Sequence, residues 1–144
     1  MTNYDFKVLS WDEFERLTRD LLQRELGLRL ETFKSGRDGG VDLRCYQGGK
    51  ESEQLIVQCK HYPNAVFPRL YAELKKEVDK VGKIRPARYV IATSADLSPD
   101  NKAKIVALFQ PYCLGPSDVY SCGDLNNLLS LYPNIERDNF KLWI

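Results

Sequence analysis

Three short segments that follow one another in the first half of the chain have the patterns of β-strands. Residues 28–34 and 41–46 alternate between apolar and polar side chains, and residues 55–60 form a compact apolar run. Alternation with a period of two is typical of strands that bury one face. Glycine-containing turns at 35–40 and 47–53 separate the three segments, as expected for hairpin connections. This order predicts an antiparallel meander.

Helical patterns surround the meander. The run Ser10-Trp11-Asp12-Glu13 is a capping box, a serine with a glutamate three residues later, and predicts a helix that reaches Leu26 and stops at Gly27. Helices and strands alternate in the second half of the chain. The later elements are a helix over 70–82, a buried central strand over 89–93, a helix from Ser98-Pro99, a strand over 119–122 and a helix over 124–132 stopped by Pro133.

The order of elements is therefore α-β-β-β-α-β-α-β-α. A meander followed by βαβ crossovers predicts an α/β domain with a central mixed β-sheet flanked by helices. The 144 residues suit a single domain over 1–144. Because the last residues, 140–144, are apolar, we expect this domain to be the N-terminal part of a longer multidomain protein.

Composition narrows the function classes. The formal net charge of +1 gives no global basic signal for nucleic acid or for an acidic membrane. No segment has the apolar length of a membrane span, and no secretory signal is visible. Four cysteines lack CxxC spacing, and the chain has a single histidine, a weak case for zinc. We expect reduced thiols in a cytoplasmic protein with no membrane partner.

Three polar residues on two neighbouring strands are the main candidates for chemistry. Gln58 and Lys60 are two residues apart, so their side chains leave the same face of a strand. A hairpin pairing can bring Asp42 close to both of them. A carboxylate, an amide and an ammonium together suit a metal-assisted hydrolytic site. From the pattern alone, two ordinary strands with polar surface residues are the simpler interpretation. We interpret the adjacent His61 as the end of the strand rather than a second base.

A fourth candidate, Glu15, lies on the first helix. At about 100° per residue it falls in the arc that also holds Trp11, Leu22 and Leu26. A carboxylate in an apolar arc is costly unless it is paired or metal-bound. Glu15 is therefore a functional candidate, and a solvated residue at the helix edge is the equal alternative.

Taken together, these motifs resemble the Mrr-type branch of the PD-(D/E)xK nuclease superfamily. The resemblance lies in three runs, 11–15 (WDEFE), 38–43 (DGGVDL) and 58–60 (QCK), and the order of elements extends it over nearly the whole chain. It implies a restriction-endonuclease-like fold. Gln58 stands where the superfamily pattern commonly has an acid, but it matches the QxK form of the Mrr-type branch.

The resemblance also implies roles for individual residues. Asp42 would be the main metal ligand, joined by the amide oxygen of Gln58 and the main-chain carbonyl of Cys59. Lys60 would orient or deprotonate the attacking water and neutralise charge on the phosphate. Glu15 would sit beside the metal or hold Lys60. Oxygen ligands and a phosphate substrate suit Mg²⁺, with Mn²⁺ as a substitute.

The leading hypothesis is a Mg²⁺-dependent DNA endonuclease domain that cuts double-stranded DNA in restriction or antiphage defence. The resemblance also implies fused sensor or NTPase domains, and cutting both strands favours a homo-oligomer. One alternative is a catalytically weak or inactive nuclease-fold module that binds nucleic acid or a protein partner, which the neutral Gln58 favours. Another is a Holliday-junction-resolvase-like nuclease.

Overall fold

A single mixed sheet organises the part of the chain that the structure, a computed structural model, describes: residues 4–33, 41–46, 54–139 and 142. Its strands are β1 (Glu31–Phe33), β2 (Val41–Tyr46), β3 (Gln54–Lys60), β4 (Arg88–Thr93) and β5 (Val119–Tyr120). Their spatial order follows the sequence. The pairs β1–β2 and β2–β3 are antiparallel, whereas β3–β4 and β4–β5 are parallel. The predicted meander and mixed sheet are therefore confirmed.

Helices cover both faces of this sheet. They are α1 (Trp11–Leu26), α2 (Phe67–Lys75), α3 (Val78–Ile84), α4 (Pro99–Leu108), α5 (Cys122–Leu131) and α6 (Pro133–Asp138). None of the described helices is long and apolar enough to cross a membrane. The predicted turns at 35–40 and 47–53, and Lys34, lie outside the described residues.

The capping box of α1 forms as predicted. The Ser10 hydroxyl accepts a hydrogen bond from the Glu13 N–H at 3.2 Å, and the Glu13 carboxylate accepts one from the Ser10 N–H at 2.8 Å. At the other end Gly27 takes a left-handed conformation with φ 66° and donates its N–H to the Gln23 carbonyl. Both ends of α1 are thus set by local sequence.

The two faces of β3 contribute to two separate cores. Leu55 and Val57 pack with residues of α1 and α5 on one side. Ile56 packs with Leu70 of α2 and Ile105 of α4 on the other side. All seven residues of β3 are buried. Because side chains alternate along a strand, Gln58 and Lys60 lie on the same face as Ile56, the face that α2, α3 and α4 cover.

The helix predicted over 70–82 is in fact two helices. α2 ends at Lys75, and α3 runs past Gly82 to Ile84 and ends at Arg85, which has φ 52°. The turn between the helices holds Glu77, whose side chain is only 8% exposed and forms an ion pair in the core. The partner offsets the cost of burying this carboxylate at the turn. Gly82 lies inside α3, which continues to Ile84, so this glycine does not stop the helix.

One further predicted boundary near the end of the chain is wrong, and another is confirmed. The strand predicted over 119–122 ends at Tyr120, because the Asp124 carboxylate accepts the Ser121 N–H at 2.9 Å and starts α5. The predicted stop before Pro133 is confirmed, since α5 ends at Leu131, but α5 is not the last helix, because Pro133 begins α6. Proline is favoured in the first helical turn, where its missing N–H costs no hydrogen bond.

Candidate active site

The strand register brings two of the predicted site residues together at the level of the backbone. In the β2–β3 pair Asp42 is the Cα partner of Gln58, and Val41 is the partner of Cys59. In the parallel β3–β4 pair Gln58 lies beside Ile91, and Lys60 lies beside Thr93. The predicted hairpin pairing is therefore present, while the side chain of Asp42 lies outside the described part of the chain.

Gln58 is a buried amide with unused hydrogen-bonding capacity. It is 1% exposed, and its Oε1 accepts a hydrogen bond from the Tyr89 hydroxyl at 3.4 Å. Its Nε2 has no hydrogen-bond partner among the described residues. A buried polar atom without a partner costs about 1–3 kcal/mol. A half-turn of the amide exchanges oxygen and nitrogen, so Gln58 can offer a free carbonyl oxygen to a hard cation, and the site fits such an ion in this respect.

Lys60 is a fully buried cation with a carboxylate partner. Its side chain is 0% exposed, and its Nζ lies 3.4 Å from Oε1 of Glu77, which precedes α3. The more exposed Lys80 approaches the second oxygen of Glu77 at 3.9 Å. A buried ammonium without such a partner would be strongly destabilising. The pair holds the ammonium on the face of β3 that also carries Gln58.

Sequence reasoning missed Glu77, although a signal for it exists. Glu77 occupies the helical series 70, 74, 77 and 81, whose other members are the buried Leu70, Leu74 and Val81. The argument that singled out Glu15, a carboxylate in an apolar arc, applies equally at this position.

Glu15 lies on the other side of the sheet. It is half-buried on α1, a helix that packs through Phe14 and Leu17 against the core containing Leu43 and Val57. Within the described residues it makes no hydrogen bond or ion pair with Gln58 or Lys60. The carboxylate that holds Lys60 is that of Glu77, and a role for Glu15 stays a prediction.

Among the residues that the structure describes, the sulfur and carboxylate groups give no second candidate for a metal centre. In the described part of the chain, no group of three or more His, Cys, Asp or Glu could hold a metal ion. All four cysteines lie in the described part of the chain, and none of them forms a disulfide bond. Cys59 is 2% exposed and packs in the core beneath α1. The proposed use of its main-chain carbonyl stays a prediction.

His61, immediately after Lys60, has a structural role. Its Nε2 lies 2.7 Å from the Leu9 carbonyl and its Nδ1 lies 2.9 Å from the Ser94 hydroxyl. Because a carbonyl only accepts, Nε2 carries the proton and Nδ1 accepts from Ser94. Burial lowers the pKa of His61, and its ring stacks on Phe14 at 4.7 Å. A neutral imidazole with both nitrogens in hydrogen bonds agrees with the interpretation of His61 as the end of the strand.

Comparisons with known proteins show the family of this chain. A family model described as a restriction endonuclease, Mrr_cat, matches residues 6–110. The chain is 39% identical over 140 residues to the uncharacterized protein y4cD of Sinorhizobium fredii (strain NBRC 101917 / NGR234), covering 97% of this chain and 21% of that protein. The chain therefore spans about a fifth of the length of that relative. No solved structure matches the chain. The family match over most of the sequence shows that this chain belongs to the Mrr-type restriction endonuclease catalytic domains and is a nuclease domain.

Proposed function

We propose that this domain hydrolyses phosphodiester bonds of double-stranded DNA with the help of Mg²⁺, or of Mn²⁺ as a substitute, in restriction or antiphage defence. One observation carries the proposal. A fully buried Lys60–Glu77 pair lies on the same sheet face as the buried amide of Gln58, whose register partner is Asp42. Membership in a restriction endonuclease family supports the reaction class.

The metal would be held by oxygen atoms on two strands. Directly opposed residues of an antiparallel pair have Cα atoms about 4.5–5.5 Å apart, and the proposal uses the Asp42 carboxylate as the principal ligand. The amide oxygen of Gln58 and the main-chain carbonyl of Cys59 would complete the protein ligands, a set of hard oxygens that suits Mg²⁺. A bound metal supplies Lewis-acid polarisation of the phosphate and a more acidic water.

Lys60 is proposed to supply a fixed positive charge at the reacting phosphate. The contact with Glu77 would orient the ammonium, and the other N–H groups of Lys60 would donate to a phosphate oxygen and to the attacking water. A buried and preoriented donor needs no reorganisation as negative charge develops, and such a donor is typically worth about 10²–10³-fold in rate. Glu77 thus acts through Lys60 as a positioning residue.

Glu15 is a separate proposal. Of the two roles predicted for Glu15, Glu77 takes that of holding Lys60, so the proposal keeps for Glu15 a place beside the metal. The variant Glu15→Gln tests this role independently of the strand residues.

The test is nicking of supercoiled plasmid with Mg²⁺, Mn²⁺ or EDTA. We expect metal-dependent nicking by the parent chain and a loss of about 10²-fold or more in Asp42→Asn and Lys60→Ala. Lys76→Ala is the matched control, because Lys76 is a largely exposed lysine paired with Glu73, and it should nick like the parent. Metal-dependent cutting that persists in both site variants would contradict the assignment.

The neutral Gln58 favours a second candidate, a nuclease-fold module that binds DNA or a partner without cutting. DNA binding by gel shift with no cutting under any of the three metal conditions would support it. Comparing a four-way junction with a linear duplex in the same assay distinguishes a junction resolvase from a general endonuclease.

We further propose that the domain works within a larger cytoplasmic assembly. Four cysteines without a disulfide bond suit a reducing compartment. The much greater length of the Sinorhizobium fredii relative supports fusion to a sensor or NTPase domain, and cutting of both strands favours a homo-oligomer. Size-exclusion chromatography with light scattering tests the oligomeric state.

A further inference from the structure

A cleft of about 370 Å³ opens immediately beyond β3. Its lining includes Trp11, His61, Tyr62, Asn64 and Arg69. Parallel strands β3 and β4 end at Lys60 and Thr93, and ligands of open α/β sheets bind beyond the carboxyl ends of such strands. The volume lies in the range of about 300–1,000 Å³ that small-molecule pockets span. The cleft therefore begins at the residue that follows Lys60 and could accept one planar group.

Trp11 gives this cleft a rigid aromatic surface. It is the first residue of α1 and is 37% exposed. Its ring makes edge-to-face contacts with His61 at 5.5 Å and Tyr62 at 5.6 Å, both nearly perpendicular. His61 is itself held by two hydrogen bonds, so the orientation of the indole is set by anchored neighbours. An exposed aromatic ring with little freedom can stack on a ligand at a small entropic cost.

The polar groups of the cleft complement a nucleotide. Arg69 supplies a cation to the described lining of the cleft. The guanidinium lies 5.9 Å from the centre of the Tyr62 ring and is exposed. Guanidinium groups recognise phosphate, and an amide such as that of Asn64 can bond the edge of a base. An aromatic face, an amide and a cation are the groups that recognise a base and its phosphate.

We propose that this cleft binds one unstacked nucleobase of the DNA strand next to the cleavage site, stacked on Trp11, with Arg69 on its phosphate. The inference rests on the proposed function, because it names the form of substrate that the same site prefers. A base inside a duplex cannot reach Trp11 without leaving the stack. The domain should therefore favour strands that are single-stranded or locally opened beside the cut.

The test measures binding in EDTA, so that cutting plays no part. A fluorescein-labelled single-stranded 12-mer DNA is titrated with the parent chain, Trp11→Ala and Trp11→Phe, and its anisotropy is recorded. One stacked base is worth about 1–3 kcal/mol, so Trp11→Ala should weaken binding about 5- to 150-fold, while Trp11→Phe should stay close to the parent. The control is Tyr132→Ala, because Tyr132 carries Arg24 over its ring at 5.1 Å but lies outside the cleft.

An abasic 12-mer separates base stacking from backbone attraction. The parent and Trp11→Ala should bind this strand equally, since it has no base to stack. A second readout, tryptophan fluorescence, keeps the side chain of Trp11 intact. The variant Trp143→Phe leaves Trp11 as the remaining tryptophan. The emission of Trp11 should be quenched by the 12-mer and unchanged by its abasic form.

Three outcomes would overturn the inference. The parent and Trp11→Ala could bind the base-containing strand with equal affinity, or the emission of Trp11 could stay unchanged when the strand is added. The third is that a blunt duplex binds more tightly than the single strand and with the same affinity in the parent and Trp11→Ala. The plasmid assay remains independent of this result. Metal-dependent nicking without Trp11-dependent binding would refute the cleft alone, and Trp11-dependent binding without nicking would refute the proposed hydrolysis alone.

Discussion

Removing the charge of Glu77 should strongly destabilise the fold. Glu77 is the carboxylate partner of Lys60, whose ammonium is 0% exposed and lies 3.4 Å away. The substitution Glu77→Gln keeps the shape of the side chain and removes its charge. The ammonium of Lys60 would then be buried with a neutral amide as its neighbour, which is the situation that proteins avoid.

The size of the effect follows from distance and burial. At 3.4 Å and an effective dielectric constant of about 20, the attraction between unit charges is about 5 kcal/mol. Removing one partner of a buried pair typically costs about 3–5 kcal/mol. A glutamine oxygen can still accept a hydrogen bond from Lys60, so we expect a loss near the lower limit, about 3 kcal/mol.

Urea denaturation measures this loss. With a slope of about 2 kcal/mol per molar urea, the unfolding midpoint of Glu77→Gln should fall by about 1.5 M. The double variant Lys60→Met with Glu77→Gln should recover much of the stability, because no charge is then left buried, giving a coupling energy above about 1 kcal/mol. Glu73→Gln is the matched control, since its partner Lys76 is 64% exposed, and it should cost less than about 0.5 kcal/mol.

A midpoint for Glu77→Gln within about 0.3 M of the parent, equivalent to about 0.6 kcal/mol, would refute this reasoning. It would mean that water or another group neutralises the ammonium. The positioning role of Glu77 in catalysis would lose its physical basis at the same time.

Three further predictions concern contacts outside the Lys60 pair. Ser10→Ala removes the cap of α1 that Ser10 forms with Glu13, and should lower the free energy of unfolding by about 1 kcal/mol in thermal melts; an unchanged melt would show that the cap is redundant. Because burial lowers the pKa of His61 below its ordinary 6.5, the unfolded chain protonates His61 at a higher pH than the folded chain does. The stability that the neutral imidazole contributes is therefore fully present above about pH 6.5 and declines as the pH falls below it. His61→Asn should therefore flatten the dependence of the urea midpoint on pH between 7 and 5, and an equal slope in both proteins would contradict the assignment. Asp118→Asn weakens a two-bond contact with Arg88 at 2.6 and 3.0 Å and should cost roughly 2 kcal/mol by urea denaturation, less than a fully buried pair because Arg88 is 32% exposed.

The elements best predicted from sequence are those with local signals. The capping box at Ser10 and the glycine at position 27 define α1, and the pattern of residues 41–46 agrees with β2 residue by residue. Ser98 likewise caps α4, accepting from the Asn101 N–H at 3.1 Å. In each case a short run of sequence contains both the pattern and its boundary.

Two of the wrong predictions depend on contacts between residues far apart in sequence. The turn between α2 and α3 is tied to a partner 17 residues away, Lys60, through Glu77. The predicted apolar arc of α1 lies too close to Trp11, which is 37% exposed. The arc of α1 that is buried against the sheet contains Phe14, Leu17 and Leu21. Helical periodicity shows that a buried face exists, but which side chains reach the core also depends on the elements that pack against it.

Glu77 also changes the charge balance of the proposed site. The two strand motifs alone supply one carboxylate, Asp42, one ammonium, Lys60, and the neutral Gln58, a net charge of zero that would bind a divalent cation poorly. Glu77 pairs closely with the buried Lys60 at 3.4 Å, whereas Lys80 lies farther away at 3.9 Å, with a side chain that is 41% exposed and screened by water. In the proposed site Glu77 would therefore mainly offset the charge of Lys60 and leave that of Asp42 for the metal. In the proposed site the carboxylate that Gln58 lacks is therefore balanced by one beside α3, and a neutral residue at position 58 is compatible with an active nuclease.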